Sequence, residues 1–185
     1  MRAWLVGWAK RKFLRRANDS LLADRLRPPE NQFIARGNAY AIAKHRFRMV
    51  VLYQYAERHH LMVAGAANRT EWLTGTFSKW GVDHCADVMP ILHLYRSQVE
   101  ALGAALDLPD YLLTKPAAPD VIPGVNDKAA LLGGFETVDR VLAGLDLGLE
   151  PSVLAGVYPE ELVARLVELR SLSGHMRESP HALIP

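Results

Sequence analysis

One glutamate, one lysine and two aspartates follow closely in "VAGAANRTEWLTGTFSKWGVDHCAD": Glu71, then Lys79, Asp83 and Asp87, all within sixteen residues of Glu71. Carboxylates at such spacing can hold a hard cation such as Mg²⁺ against phosphate oxygens, and a lysine can neutralise phosphate charge. The preceding residues Gly65-Ala66-Ala67 are small and lead to Asn68, with Glu71 three positions later at capping-box spacing. Two readings share that pattern. It is an ordinary helix cap, or it is a strand running through a small-residue turn into a helix N-terminus, which puts backbone N–H groups where α/β folds bind phosphates and nucleotides. Spacing alone leaves both open, and it leaves open a simply solvated charge cluster as well.

The elements that must position these residues come next. Leu61-Met62-Val63-Ala64-Gly65-Ala66 is a continuous apolar run that suits a strand buried on both faces of a parallel sheet. Val88-Met89-Pro90-Ile91-Leu92 is a weaker strand candidate, since proline confines strands to edges or first positions. Before them, residues 36–60 read as a long helix with Ile42, Met49, Tyr53 and Ala56 on one face and Arg46 flanking that stripe. Helices are expected at 3–26, ended by Pro28-Pro29, and at about 93–106, 135–144, 151–156 and 159–172. A strand at 61–66 with so few neighbours leaves backbone groups to be paired from elsewhere.

With 185 residues, half of them hydrophobic, the chain suits one globular domain with a core. Met1 to Arg27 carries eight Lys/Arg against two Asp/Glu, an excess of six that the remainder brings down to a net +2. The basic character is therefore terminal. Cys85 is the single cysteine, which excludes an intrachain disulfide and a cysteine-rich zinc site, and the default location is the cytoplasm. No apolar run reaches the ~20 residues of a membrane span. The seven histidines are scattered and none pairs with Cys85 at a zinc-ligand spacing, so no transition-metal site is expected.

Several separate stretches together resemble the NAD synthetase family, ammonia-dependent ligases that amidate nicotinic acid adenine dinucleotide. They run from about Arg36 to Arg177 and occur in the family's order. Arg46-Phe47-Arg48-Met49 matches an Arg-x-Arg-Met motif, and Gly65 to Glu71 matches Gly-Thr-x-Asn-Lys/Arg-Ser/Thr-Glu. Lys79 to Pro90 follows Lys-Tyr/Trp-Gly-Asp-x-x-Ala-Asp-x-x-Pro with one extra residue before Asp83. Leu94 to Val99, Lys115-Pro116 with Asp120, and the closing His175-Met176-Arg177 complete the set.

The resemblance implies an α/β fold, the C-terminal part of an adenine-nucleotide α-hydrolase-like (Rossmann-like) domain, helix-rich and with an incomplete parallel sheet. It implies ATP-dependent amidation through an acyl-adenylate, with Mg²⁺, ATP, the deamido-dinucleotide and ammonia as the small molecules. Residue by residue, Glu71 would hold Mg²⁺ and, with Lys115 and Ala66, the ATP phosphates; Arg46, Lys79 and Asp120 would contact the dinucleotide; Asp83 and Asp87 would lie by the reacting groups. A homodimer, or a partner chain completing the sheet, is also implied.

The departures from the family pattern are specific. Members carry a Ser-Gly-Gly-x-Asp-Ser loop that grips the ATP pyrophosphate, and no such sequence occurs here; the one Gly-Gly pair, Gly133-Gly134, is followed by Phe135 and Glu136. Ala66 stands for a threonine, Lys128 for an acid, and Met176 for a lysine. An N-terminally incomplete member is the expectation, with residues 1–30 as a basic helix without family match and 31–185 as a synthase-like domain lacking the pyrophosphate loop. The alternative is a non-catalytic, degenerate paralogue or subunit that dimerises and binds dinucleotide. A third reading makes the basic start a surface helix for anionic lipid or nucleic acid, against the plainer one of tryptophans packed on the body and solvated arginines. No nucleic-acid module and no membrane partner are expected.

Overall fold

A computed structural model describes residues 26–27, 32–81, 84–115 and 134–180. Among these, helix α1 spans Gln32–His59, α2 Arg69–Thr74, α3 Arg96–Ala105, α4 Asp110–Leu113, α5 Phe135–Asp146, α6 Pro151–Ala155 and α7 Glu160–Leu172, followed by a 3₁₀ turn at Gly174–Met176. The helix expected at 3–26 lies outside the described residues except for Leu26, which packs against the core.

The core sits where α2, α5, α6 and α7 meet. Val138, Val141 and Leu142 repeat at three- and four-residue spacing along α5, and Val163, Leu166 and Leu169 do so along α7, so each helix turns one apolar stripe inward. With Leu73 and Leu154 these side chains form one buried cluster. Removing each large one from water contributes roughly 1.5–3 kcal/mol. Gly144 lets α5 and α6 approach closely, because a Cβ there would lie 2.7 Å from Cδ2 of Leu154. Pro151 opens α6 at a position where its missing N–H costs no helical hydrogen bond. Glu160 and Glu161 in the first turn of α7 and Arg170 in its last complement the helix dipole.

Helix α1 is two-faced in a less usual way. Ala41, His45, Met49 and Ala56 are buried, with Ile42 and Tyr53 half-buried beside them, as the stripe of the sequence anticipates. On the far side Tyr40, Phe47, Val51 and Tyr55 are exposed. The helix ends at His59, where His60 takes a left-handed φ of 52° and Leu61 N–H reaches back to Ala56 O at 2.9 Å.

The strand expected over 61–66 is reduced to a single parallel bridge, Ala64 to Val88, the one strand pairing among the described residues. Val88 N–H donates to Val63 O at 3.3 Å and Gly65 N–H to Val88 O at 2.8 Å. The second candidate, 88–92, contributes only Val88, because from Pro90 onward the chain turns. A strand propagates only while a neighbour meets its next donor and acceptor, and these two segments diverge after one bridge.

Candidate functional site

Asn68 is almost wholly buried at the head of α2. Its side-chain oxygen accepts from Glu71 N–H at 3.0 Å, and Glu71 Oε2 accepts from Asn68 N–H at 3.2 Å and from Asn68 Nδ2 at 3.0 Å, a closed capping box. The small residues before it have a steric reason. A Cβ on Gly65 would lie 2.9 Å from the Cβ of Ala86 and 3.2 Å from Cγ of Met89, so the bridge to 86–89 forms only with glycine there.

Two carboxylates fix α2 in place. Buried Asp139 accepts from Thr70 Oγ1 at 2.5 Å and from Ser97 N–H at 2.7 Å, while Thr70 Oγ1 accepts from Arg96 N–H at 2.9 Å. One carboxylate thus ties α5 to α2 and to the first turn of α3, where free N–H groups favour negative charge. Asp146 accepts from Arg69 Nε at 2.9 Å and Nη2 at 2.7 Å, from Tyr95 Oη at 2.9 Å, and pairs with Arg170 at 2.9 Å. Burial and then the hydrogen bond and charge of Asp146 push the Tyr95 phenol up to about 12. Burial works against the charge of Arg69, yet Asp146 outweighs it and the guanidinium is held above its ordinary value.

The C-terminal turn closes onto the other end of α2. Arg177 Nη1 donates to Trp72 O at 3.1 Å and to Ser173 Oγ at 2.7 Å, and Nη2 to Arg170 O at 2.8 Å. Helix C-termini leave carbonyls without intrahelical donors, and Arg177 serves two helices at once. Burial, then the neighbouring Arg170 and Arg69, hold its guanidinium below the ordinary value.

Between α1 and this tail lies the turn Lys79-Trp80-Gly81. Arg46 Nε and Nη2 each approach Lys79 O at 3.4 Å, and Lys79 Nζ donates to His175 O at 2.6 Å while lying 5.5 Å from the Trp80 ring centroid. Trp80 holds a φ of 61°, a left-handed conformation that is costly for a bulky residue. His84 Nδ1 accepts from Trp80 N–H at 3.2 Å, and its ring lies near-parallel to those of Trp72 and Phe77 with centroids 5.4 Å away. Burial, then the Lys79 charge, lower the pKa of His84 and favour the neutral imidazole that can accept this bond.

The sequence profile of NAD synthase matches residues 18–180, most of the chain. The chain belongs to the NAD synthase family. Two of its relatives are NH₃-dependent NAD⁺ synthetases: that of Coprothermobacter proteolyticus is 35% identical over 156 residues, 84% of this chain and 52% of its own length. That of Thermotoga maritima is 41% identical over 141 residues, 74% of this chain and 50% of its own. The chain therefore spans about half the length of the curated synthetases it matches. Among solved structures, an NMN synthetase from Francisella tularensis superposes with a TM-score of 0.63 at 29% identity, over 78% of this chain and 55% of that one. An NH₃-dependent NAD synthetase from Campylobacter jejuni gives 0.62 at 23% identity, over 89% and 62%, which speaks for the shared fold alone. A helix-rich, Rossmann-like architecture agrees with both neighbours; the sheet itself is represented here by the one bridge.

Against the family's motifs, the chain brings some of the expected residues together and leaves others apart. Arg46 and Lys79 meet directly. Glu71 is half-buried in the cap of α2, and Ala66 is exposed just before it. Asp87 is engaged structurally: Oδ2 accepts from Val63 N–H at 2.7 Å and Oδ1 from Tyr53 Oη at 3.2 Å. Burial and then the Asp87 charge push the Tyr53 phenol up to about 12. Lys115 stands exposed just past α4. Asp83 and Asp120 lie outside the described residues. Glu71, the carboxylate expected to hold Mg²⁺, lies among the described residues, which contain no group of three His, Cys, Asp or Glu. That fits an ion which takes one or two carboxylates and fills its other positions with phosphate oxygens and water.

Sequence reasoning missed Asp139, Asp146 and Tyr95, and it placed Tyr53 on the inner face of α1 without its Asp87 partner. For Asp139 a signal existed: an acid between Val138 and Val141 on a strongly apolar helix calls for a buried partner. Nothing in the spacing of Asp146 points to two arginines 77 and 24 residues away.

Proposed function

We propose that this chain forms one wall of the active site of an NAD synthase, the enzyme that makes NAD from nicotinic acid adenine dinucleotide, ATP and ammonia. A nicotinate carboxylate oxygen attacks the α-phosphorus of ATP, pyrophosphate leaves, and ammonia then attacks the acyl carbon and displaces AMP. Glu71 would hold Mg²⁺, which supplies charge neutralisation on the phosphates. Arg46 and Lys79 offer cations to the dinucleotide, with Asp83, Asp87 and Asp120 as its further contacts and Lys115 and Ala66 facing the ATP phosphates. Cations fixed in advance by packing stabilise developing charge without reorganising in the transition state. A second copy is assigned to the outer face of α1, where Tyr40, Phe47, Val51 and Tyr55 present a larger apolar stripe than solvated helices usually carry.

One observation carries this reading. Arg46, Lys79 and His175, from three motif-bearing segments, are linked by direct hydrogen bonds across separations of 33 and 96 residues. Three of the family's scattered motifs thereby meet, which supports a common site. The test is NAD formation by the purified chain from nicotinic acid adenine dinucleotide, Mg-ATP and ammonia, with Glu71→Gln as control. Because one neighbour is named an NMN synthetase, the corresponding mononucleotide is assayed beside the dinucleotide. Turnover abolished by Glu71→Gln supports the reading.

A second reading, a binding subunit without turnover, is favoured by Ala66 and Met176 standing where the family pattern has a threonine and a lysine. Dinucleotide binding by calorimetry without product would select it. Neither binding nor turnover in a folded sample would sink both.

A further inference from the structure

Ser78 to Gly81 form a β-turn closed by Gly81 N–H to Ser78 O at 2.8 Å. Its third residue, Trp80, has a φ of 61°, while Lys79 before it is not among the left-handed residues. That combination is a type II turn, whose third position ordinarily takes glycine because a side chain there is strained. The type I alternative differs by a half-turn of the central peptide, the one joining Lys79 to Trp80, and brings the third residue to a relaxed φ of about −90°. Something must therefore hold Trp80 in the strained form.

Two side chains grip that central peptide from opposite ends. Arg46 Nε and Nη2 approach its carbonyl oxygen, Lys79 O, at 3.4 Å, and His84 Nδ1 accepts from its N–H, on Trp80, at 3.2 Å. In a trans peptide the C=O and N–H point in opposite directions, so a half-turn breaks both contacts at once. Arg46 is exposed and its contacts are long. The His84 ring is fixed on three sides, near-parallel to Trp72 and to buried Phe77 with centroids 5.4 Å away, and edge-on to Trp80 at 5.0 Å. His84 N–H and Cys85 N–H both donate to Gly81 O, at 2.9 and 2.8 Å, which brings the ring back over the turn. Burial, then the Lys79 charge, favour the neutral imidazole, whose Nδ1 can accept. The family motif over Lys79–Pro90 specifies no residue type at His84, so its role here comes from the geometry alone.

We propose that His84 is a positioning residue: by accepting from Trp80 N–H it selects the type II turn, and with it the acceptor that holds Arg46 in place for the dinucleotide. The consequence for binding rests on the functional reading above, whereas the selection of the turn does not. A peptide half-turn leaves side chains nearly where they were, so Lys79 Nζ keeps His175 O, and Arg46 alone loses its anchor. A site whose competent form is only partly populated binds more weakly in proportion.

The ¹³C,¹⁵N-labelled chain is studied by NMR at neutral pH, and its affinity for nicotinic acid adenine dinucleotide by calorimetry. The unmodified chain is expected to carry the His84 proton on Nε2, to show coupling across the hydrogen bond from Trp80 N to Nδ1, and to give a strong contact between Lys79 Hα and Trp80 N–H. A type I turn replaces that contact by one between the two amide protons. His84→Phe keeps a flat ring and removes the acceptor, so the turn should switch to type I and the affinity fall on the order of tenfold. His84→Asn, whose side-chain oxygen comes near the place of Nδ1, should restore both. Trp80→Gly removes the strain, and on that background His84→Phe should leave the turn type II. A proton on Nδ1 in the unmodified chain overturns the proposal, and that result stands whether or not any variant folds. So does a type II turn that survives His84→Phe with Trp80 in place, or His84→Asn behaving as His84→Phe does. Equal dinucleotide affinity in His84→Phe and the unmodified chain overturns it as well and leaves the functional reading standing. Turn switching in a chain that binds no dinucleotide at all keeps the role of His84 in the turn and sinks the functional reading instead.

Discussion

Leu166 in α7 and Met62 beside the bridge are both large apolar side chains, yet the first is fully buried and the second 73% exposed. Around Leu166 four helices close on one another, three of them from consecutive stretches between residues 135 and 172, and the carboxylates of buried Asp139 and half-buried Asp146 each meet several donors. Around Met62 one bridge, one aspartate and one tyrosine hold a segment whose outer side meets nothing among the described residues. Helices satisfy their own backbone and ask neighbours only for apolar contact, whereas a strand asks for hydrogen-bond partners as well. The helical region therefore closes a core of its own, while among the described residues the bridge is paired on one side only.

Five substitutions and one titration test that contrast. Leu166→Ala should lower stability in urea unfolding by about 2–5 kcal/mol, the range for a large-to-small change in a closed core. A value near zero would mean that the helical core is not the stable part. Asp146→Ala removes the acceptor shared by Arg69, Tyr95 and Arg170, and should cost about 1.5–3 kcal/mol as charged hydrogen bonds are lost. Asn68→Ala opens the capping box and should cost about 1 kcal/mol, with calorimetric Mg-ATP binding weakened further if Glu71 is held in place by that cap.

Tyr53 and Tyr95 sample one region each, and both phenols are pushed from 10.0 up to about 12. Since the folded values lie above the unfolded one, their stabilisation is fully present below pH 10 and is lost as pH rises towards 12. In an ultraviolet titration two of the six tyrosines should lag behind the rest. Asp87→Asn should bring only Tyr53 back towards its ordinary value, which separates the two regions directly. The smallest effect belongs to Met62→Ala, expected within about 0.5 kcal/mol in the chain alone. A larger loss would show that Met62 is already covered.

The helices were legible because each carries its own periodic signal. The readings at 135–144 and 159–172 lie within two residues of Phe135–Asp146 and Glu160–Leu172, and the cap at Asn68 with Glu71 forms as its spacing says. The family was legible as well, since its motifs are local strings. The strand at 61–66 was overstated: an apolar run reports that a segment can be covered, not that a partner pairs it along its length. Asp87, read as a group beside the reaction, is bonded to Val63 and Tyr53, a pairing that depends on how α1 crosses the bridge.

Sequence by itself determined most of the helices, the cap at Asn68 and the family, because propensity, capping and short motifs act over a few residues of chain. Only the tertiary structure decided that Asp139 and Asp146 would anchor α2 and that Arg177 would serve two helix ends. Those outcomes depend on hydrogen bonds between groups up to 105 residues apart, whose meeting is fixed by how the helices pack and not by any local pattern.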